Sequence, residues 1–175
     1  MFPLKNLHNF IGKSQFDDDI HAQFRASACG PVTAFTILKH HLSESAVMHV
    51  NDLYRQLGGT KIGLFKWRFI RNLQKILGSH WIVKECNIEE LQHEIDVGRP
   101  VAAKFDKWFS FHWFGKFNYD YHWVPVIGYK KSTQGIVLIV HDNGGRTRES
   151  RIREIPYEPN RQILSFIKIK KTIVD

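Results

Sequence analysis

The sequence has little of several things, and each shortage excludes a class of protein. Only two cysteines occur among 175 residues, so a scaffold held by several disulfides is excluded. No apolar run approaches the roughly 18 to 20 residues of a membrane-spanning helix, so no membrane span is predicted. The first ten residues also lack the apolar run of a signal peptide, which favours a cytoplasmic protein. A secreted form whose leader has been removed would read the same way.

Repeats, low-complexity tracts and linkers are also missing, so residues 1–175 are expected to form a single domain. The apolar fraction of 43% and the charged fraction of 24% are those of an ordinary globular protein. None of the ten histidines shows a zinc-like pairing with the cysteines, so no metal and no cofactor are predicted.

The formal charge of +8 raises the question of a nucleic-acid partner. The basic residues are spread along the chain, and the two mild clusters, at 146–153 and 168–171, alternate with apolar or acidic residues. Such alternation is typical of the solvated face of a strand, and no nucleic-acid motif accompanies it. A nucleic-acid partner is therefore not expected, whereas anionic substrates or cell-envelope polymers stay open.

The hydrophobic period changes halfway along the chain. Apolar residues at helical spacing, with glycine stops, predict helices over 31–41, 52–57, 65–77 and 88–97. Alternating or β-branched runs predict strands over 80–86, 100–105, 122–130, 135–141 and 162–170, with a hairpin turn at 130–135. Helices followed by an antiparallel sheet indicate an α+β fold of two lobes with a site between them.

Cys29 is the candidate nucleophile. It stands directly before Gly30 and Pro31, at the start of the first helical run, and the free amides of a helix N-terminus stabilise a thiolate. Gly30 would let a substrate carbonyl approach the backbone, and proline suits the first turn of a helix. The other cysteine, Cys86, lies in a predicted strand with no base nearby in the sequence and is assigned to structure.

His122 is the candidate general base. It begins a β-like run, so its ring would project from the edge of the sheet lobe toward the thiol and could take and return its proton. Ten histidines make other choices possible. The nearest rivals are His112, His141, His40 and His41.

Asp142 and Gln23 complete the candidate site. Asp142 ends the next predicted strand, where a carboxylate could orient the imidazole, with Asn143 as the alternative in that role. Gln23, six residues before the cysteine, could donate its amide to the oxyanion of a tetrahedral intermediate together with the backbone amide of Cys29.

These pieces, in this order, resemble a papain-like cysteine peptidase. They are Gln23-x5-Cys29-Gly30-Pro31, Asn51-Asp52-Leu53-Tyr54, Gly98-Arg99-Pro100-Val101, His122-Trp123-Val124 and His141-Asp142. In particular, the chain is similar to the bacterial double-glycine-leader, or bacteriocin-processing, peptidases (cysteine peptidase family thirty-nine), in their stand-alone form. The resemblance runs from about residue 20 to residue 145. It implies a papain-like fold, a helical lobe packed on an antiparallel sheet lobe, and thiol hydrolysis of an amide bond in a peptide or protein substrate.

The chain departs from that pattern in two informative places. Asn143 stands where a proline often follows the acid, and residues 106–121 form an unusually aromatic insert just before the base. The insert is interpreted either as a flap that adds to the core or as a rim of the cleft or self-association surface. Two other functions stay open, namely acyl transfer by the same residues and a peptide-binding module that no longer turns over.

Overall fold

An antiparallel sheet organises the protein, whose computed structural model describes residues 4–42 and 46–172. Within these residues the sheet has seven strands. Six of them pair in the order β2-β7-β3-β4-β5-β6, and the seventh, the short β1, pairs with the second half of β4. The strands are β1 (Leu4–Asn6), β2 (Trp81–Cys86), β3 (Val101–Asp106), β4 (Tyr121–Ser132), β5 (Gly135–Asp142), β6 (Arg151–Pro156) and β7 (Leu164–Lys171).

The helices lie mostly before the sheet in sequence. They are α1 (Ala22–Arg25), α2 (Cys29–His41), α3 (Val50–Leu57), α4 (Lys66–Leu77), α5 (Ile88–Asp96) and α6 (Tyr157–Asn160). Their ends follow local chemistry. Asn87 and Glu90 form a capping box at the start of α5, and Gly58 ends α3 in the left-handed conformation that glycine adopts without steric cost.

Helices α2, α3 and α4 pack on one face of the sheet. Trp123 of β4 is fully buried at the centre of this layer and stacks on Phe69 of α4, with ring centroids 4.5 Å apart. Its indole N–H donates to the carbonyl of Leu64, so the buried ring has no unsatisfied donor. This contact fixes the strand that carries His122 against the helical layer.

Helix α5 covers the opposite face of the sheet. Leu91 and Ile95 of this helix join a second core cluster with Val124, Val126 and Phe105 of the central strands. Because both faces of the central strands are covered, β3 is buried at every position and β4 at most positions, rather than alternating between buried and exposed.

The predicted α+β class is confirmed, with helices packed on an antiparallel sheet. The predicted helices and strands all occur, with ends shifted by a few residues. The hairpin turn between β4 and β5 is shorter than predicted and contains only Thr133 and Gln134. Two strands were missed. β1 has only three residues, and β6 alternates exposed charged side chains with apolar ones at the free edge of the sheet.

Candidate active site

Cys29 is the first residue of α2, where backbone amides have no partner within the helix. Its side chain is largely buried but lines a cleft. Gly30 follows for reasons of packing, because a Cβ atom there would lie 2.9 Å from Cδ2 of Leu64. Pro31 occupies the third position of the helix, still within the first turn, where its missing amide costs no hydrogen bond. The sequence therefore starts the helix at the thiol.

His122 lies in the second position of β4 and is almost completely buried. Its Nε2 lies 2.9 Å from Oδ1 of Asp142, and the ring lines the same cleft as Cys29, whose thiol is near enough to contribute to the pKa of His122. Since Nε2 is engaged by the carboxylate, Nδ1 is the atom left for the thiol. Burial alone would lower the pKa of His122, but the interactions with Asp142 and Cys29 outweigh it and raise that pKa.

Asp142 ends β5 and is completely buried. Its carboxylate accepts hydrogen bonds from the Tyr119 hydroxyl (3.0 Å), the Gly144 amide (2.9 Å), and the Nε atoms of Arg148 and Arg153 (2.7 Å each). Burial opposes the charged form, but the bonds from His122 and Arg148 hold the pKa of this carboxyl well below its usual range. Asp142 is thus a fixed negative charge beside the imidazole.

A β-bulge in β4 brings His122 and Asp142 to the same face of the sheet. Before the bulge Val126 pairs with Val140, whereas after it Gly128 pairs with Ile139. Directly opposed residues in an antiparallel pair point to the same face. The extra residue, Ile127, therefore shifts the register so that His122 and Asp142 share a face of the sheet. In an unbulged ladder the two side chains would lie on opposite faces.

Gln23 does not take the place expected of it. It lies on α1, its side chain is exposed, and it is not among the residues that line the cleft. The glutamine beside the thiol is Gln15, which is buried. The backbone N–H of Gln15 donates to the Asn143 backbone carbonyl (2.9 Å), and the side-chain Nε2 of Gln15 donates to the Arg25 backbone carbonyl (2.8 Å).

No sequence motif pointed to Gln15. It lies fourteen residues before Cys29, and only the path of the connecting loop over α1 brings its side chain to the cleft. Its Oε1 is buried and has no hydrogen-bond partner among the residues that the structure describes, which is unusual for a structural glutamine.

The cleft around the thiol has a volume of about 380 Å³. Its floor includes Tyr121, whose hydroxyl accepts from the Leu64 amide (2.7 Å) and donates to the Leu64 carbonyl (3.0 Å). Gly63 is required there, because a Cβ atom would lie 2.3 Å from that hydroxyl. The residues that line the cleft are Gln15, Phe16, Ala26, Ser27, Cys29, Lys61, Ile62, Gly63, Tyr121, His122, Gly144, Gly145, Arg146 and Arg148.

The model of the Peptidase_C39 like family matches residues 8–174, nearly the whole chain. The chain belongs to this family. Solved structures agree at the level of the fold. A candidate C39-like peptidase from Bacillus anthracis is 15% identical with a TM-score of 0.64, and the match covers 97% of this chain and 100% of that one.

The peptidase domain of Streptococcus ComA is also similar in fold. This domain belongs to a bifunctional ABC transporter involved in quorum sensing. It is 14% identical with a TM-score of 0.59, and the match covers 94% of this chain and 100% of that one. No curated protein matches the chain.

The other histidines considered as a base lie outside the cleft of this C39-like protein. His40 bonds to the Gly98 carbonyl (2.9 Å), and His112 lies in the aromatic loop. His41 packs on Trp81, and burial lowers its pKa to about 4. His141 points away from Asp142 and packs against Phe10. None of them reaches the thiol in the described part of the chain.

Asn143 also points away from the imidazole. It is completely buried, and its Nδ2 lies within hydrogen-bond distance of the Cys29 carbonyl (3.2 Å), Thr33 Oγ1 (2.9 Å) and the Trp123 carbonyl (3.1 Å). These contacts tie the turn after β5 to the first turn of α2. Asn143 therefore holds the thiol-bearing helix against the sheet in this C39-like fold.

Two further observations concern the remaining predictions. Burial raises the pKa of Cys86 to about 12, so this thiol stays protonated at neutral pH. Among residues 4–42 and 46–172, no group of three potential ligands is arranged to hold a metal ion, and no helix is long and apolar enough to cross a bilayer.

Proposed function

We propose that the protein is a cysteine peptidase that hydrolyses a peptide or related amide bond through a thioester. The observation that carries the proposal is that Cys29 and His122 line one open cleft and that the His122 ring is hydrogen-bonded to the buried carboxylate of Asp142. A nucleophile, a base and an orienting acid in that order are the parts that thiol acyl transfer requires. Membership of the Peptidase_C39 like family supports the same reaction class.

The first half of the reaction forms the thioester. Nδ1 of His122 takes the proton of Cys29, and the sulfur attacks the carbonyl carbon of the scissile bond. When the tetrahedral intermediate collapses, the C–N bond breaks and His122 returns the proton to the leaving amine. In the second half, water gives a proton to His122 and attacks the thioester, and the carboxylic acid leaves as the thiol is restored.

The raised pKa of His122 means that its charged imidazolium form is stabilised. An imidazolium forms each time the ring takes a proton, and the fixed carboxylate of Asp142 stabilises it at 2.9 Å. The two arginines hold Asp142 ionised, so the acid orients the ring without competing for its proton. The base is therefore kept in one tautomer.

Gln15 takes the oxyanion role in this proposal, in place of Gln23. One amide proton of Gln15 binds the Arg25 carbonyl, and Nε2 carries a second proton. Together with the backbone amide of Cys29, that proton is the donor that the cleft offers to a developing oxyanion. The exposed side chain of Gln23 has no comparable position.

The charge of the cleft points to the substrate class. Lys61, Arg146 and Arg148 line it, and no aspartate or glutamate in the described part of the chain does. Such a lining favours peptides with acidic side chains or a free carboxylate near the scissile bond, by direct attraction and by steering. Substrate selection should therefore weaken with added salt.

The test is labelling by an electrophilic peptide probe, combined with hydrolysis of an acidic peptide library. We expect wild type and Cys86→Ala to be labelled and active, and Cys29→Ala to be neither, with the same melting temperature. The Cys86 variant is the matched control because it removes the other thiol. Labelling or hydrolysis that Cys29→Ala retains would refute the proposal.

A further inference from the structure

The aromatic insert forms an anchored loop between β3 and β4. Its base is closed by the Lys107 amide, which donates to the Asp120 carbonyl (2.9 Å). Asn118 and Asn160 exchange two hydrogen bonds of 3.0 and 2.7 Å near the same point. The inner end of the insert adds to the core, since Phe117 packs against the second cluster. The part before it projects from the sheet.

Most large rings of this projecting part are exposed. Trp67 at the start of α4 continues the same surface, because it lines one groove with Phe65 and Phe109, whose rings meet edge to face with centroids 5.2 Å apart. Phe114 is 94% exposed and Phe111 is 81% exposed. The six residues that are more than half exposed, here called the aromatic face, are Trp67, Trp108, Phe109, Phe111, Trp113 and Phe114.

The backbone at the tip of the loop is strained in a way that folding does not explain. Phe111 has φ 59°, and no other residue besides glycine has a positive φ in the described ranges. An L-residue pays a steric cost in this conformation. In this conformation the Phe111 ring is exposed to water and does not contribute to the core. Strain at such a position indicates an interaction surface.

Cations border the aromatic face. Lys107 Nζ lies 4.7 Å from the centroid of Trp108, and the Arg68 guanidinium lies 5.1 Å from that of Trp67. Lys116 also belongs to the loop and joins no ion pair among the described residues. Asp106 pairs with Lys104 (2.6 Å) and Asp120 with Lys107 (2.7 Å), so the excess positive charge of this region comes from Arg68 and Lys116.

We propose that the aromatic face binds the surface of an anionic lipid bilayer. Tryptophan and phenylalanine side chains partition into the boundary between headgroups and acyl chains, and adjacent lysines are attracted to anionic headgroups. A chain with a formal charge of +8 complements such a surface. A second copy of the same face would instead bring like charges together.

The proposal is independent of the peptidase activity but has a consequence for it. Lys61 and Ile62 line the cleft, and Trp67 of the aromatic face follows five residues after Ile62. A protein attached through this face would hold its cleft close to the bilayer. Peptides that are themselves at the membrane would then be favoured.

Co-sedimentation with vesicles tests the proposal. We expect wild type to bind vesicles of equal parts phosphatidylglycerol and phosphatidylcholine at least tenfold more tightly than vesicles of phosphatidylcholine alone. The double variant Phe111→Ser/Phe114→Ser should lose at least tenfold of that binding. Leu4→Ser/Ile11→Ser, which alters two exposed apolar residues elsewhere, is the matched control and should lose less than twofold.

The Phe111→Ser/Phe114→Ser variant should fold normally, because both phenylalanine rings are more than 80% exposed. A melting temperature equal to that of wild type would confirm this. The variant Lys107→Gln/Lys116→Gln should weaken binding to the anionic vesicles only. The proposal is overturned if wild type does not bind anionic vesicles, or if the two serine double variants lose binding equally. Sedimentation equilibrium that shows a dimer dissolved by Phe111→Ser/Phe114→Ser, without lipid binding, would assign the face to a second copy.

Discussion

Nε2 of His122 and Oδ1 of Asp142 lie 2.9 Å apart, in a place where water cannot compensate either group. The carboxylate receives four further donors, two of them guanidinium groups, so it stays ionised and immobile. Charge-assisted bonds of this kind are stronger than neutral ones. The geometry gives the imidazole one orientation and one tautomer.

Replacing Asp142 by asparagine should lower kcat/KM about 100-fold or more, because the amide cannot stabilise an imidazolium. His122 must be neutral to take the thiol proton, so its raised pKa places the acidic limb of the kcat/KM profile above the ordinary value near pH 6.5. In Asp142→Asn that limb should move to lower pH by about one unit or more. The measurement is a pH profile of both proteins, with Asp120→Asn as the control at an exposed carboxylate. An unmoved limb would contradict the assignment of Asp142.

The same carboxylate should make stability depend on acid. Because its pKa is depressed in the folded protein, its contribution is complete above the unfolded value near 3.9 and is lost as pH falls below it. Asp142→Asn should lower the free energy of unfolding by about 3 kcal/mol at pH 7, since two arginines lose their partner. Urea unfolding at several pH values should show that the difference in unfolding free energy between wild type and Asp142→Asn becomes smaller below about pH 4. A constant difference down to pH 2 would argue against a depressed pKa.

Gln15→Ala should reduce kcat about 100-fold with little change in KM, as expected for a donor that acts mainly in the transition state. Gln23→Ala is the matched comparison, and its kinetics should equal those of wild type because its side chain is exposed. Steady-state kinetics on one peptide substrate would settle the choice. A loss in Gln23→Ala with none in Gln15→Ala would reverse it.

Asn143→Ala should lower the stability of the fold and leave the pKa of His122 unchanged. The side chain bridges the Cys29 carbonyl, Thr33 and the Trp123 carbonyl, so its loss should cost about 1 to 3 kcal/mol of unfolding free energy. The acidic limb of the kcat/KM profile, which reports the pKa of His122, should stay in place. If that limb moved as in Asp142→Asn, Asn143 would be the residue that orients the imidazole.

Much of the fold could be read from the sequence because it rests on local signals. Apolar residues at helical spacing and the stops at Gly58 and Gly78 defined α3 and α4, and the position of Cys29 before Gly30 and Pro31 placed a thiol at the start of α2. Strands β3, β4, β5 and β7 are buried apolar runs that only a sheet covered on both sides accommodates. These features depend on neighbours in the chain.

Other features depended on contacts that no local pattern encodes. The bulge at Ile127 sets the face on which Asp142 lies, and a one-residue shift of register would have separated it from His122. Gln15, and not Gln23, lines the cleft with Cys29, because the segment that leads into α1 returns to the cleft. The sequence by itself determined the residue types and the helix that presents the thiol. Only the tertiary structure decided which polar groups meet, because strand register and loop path are set by packing between distant segments.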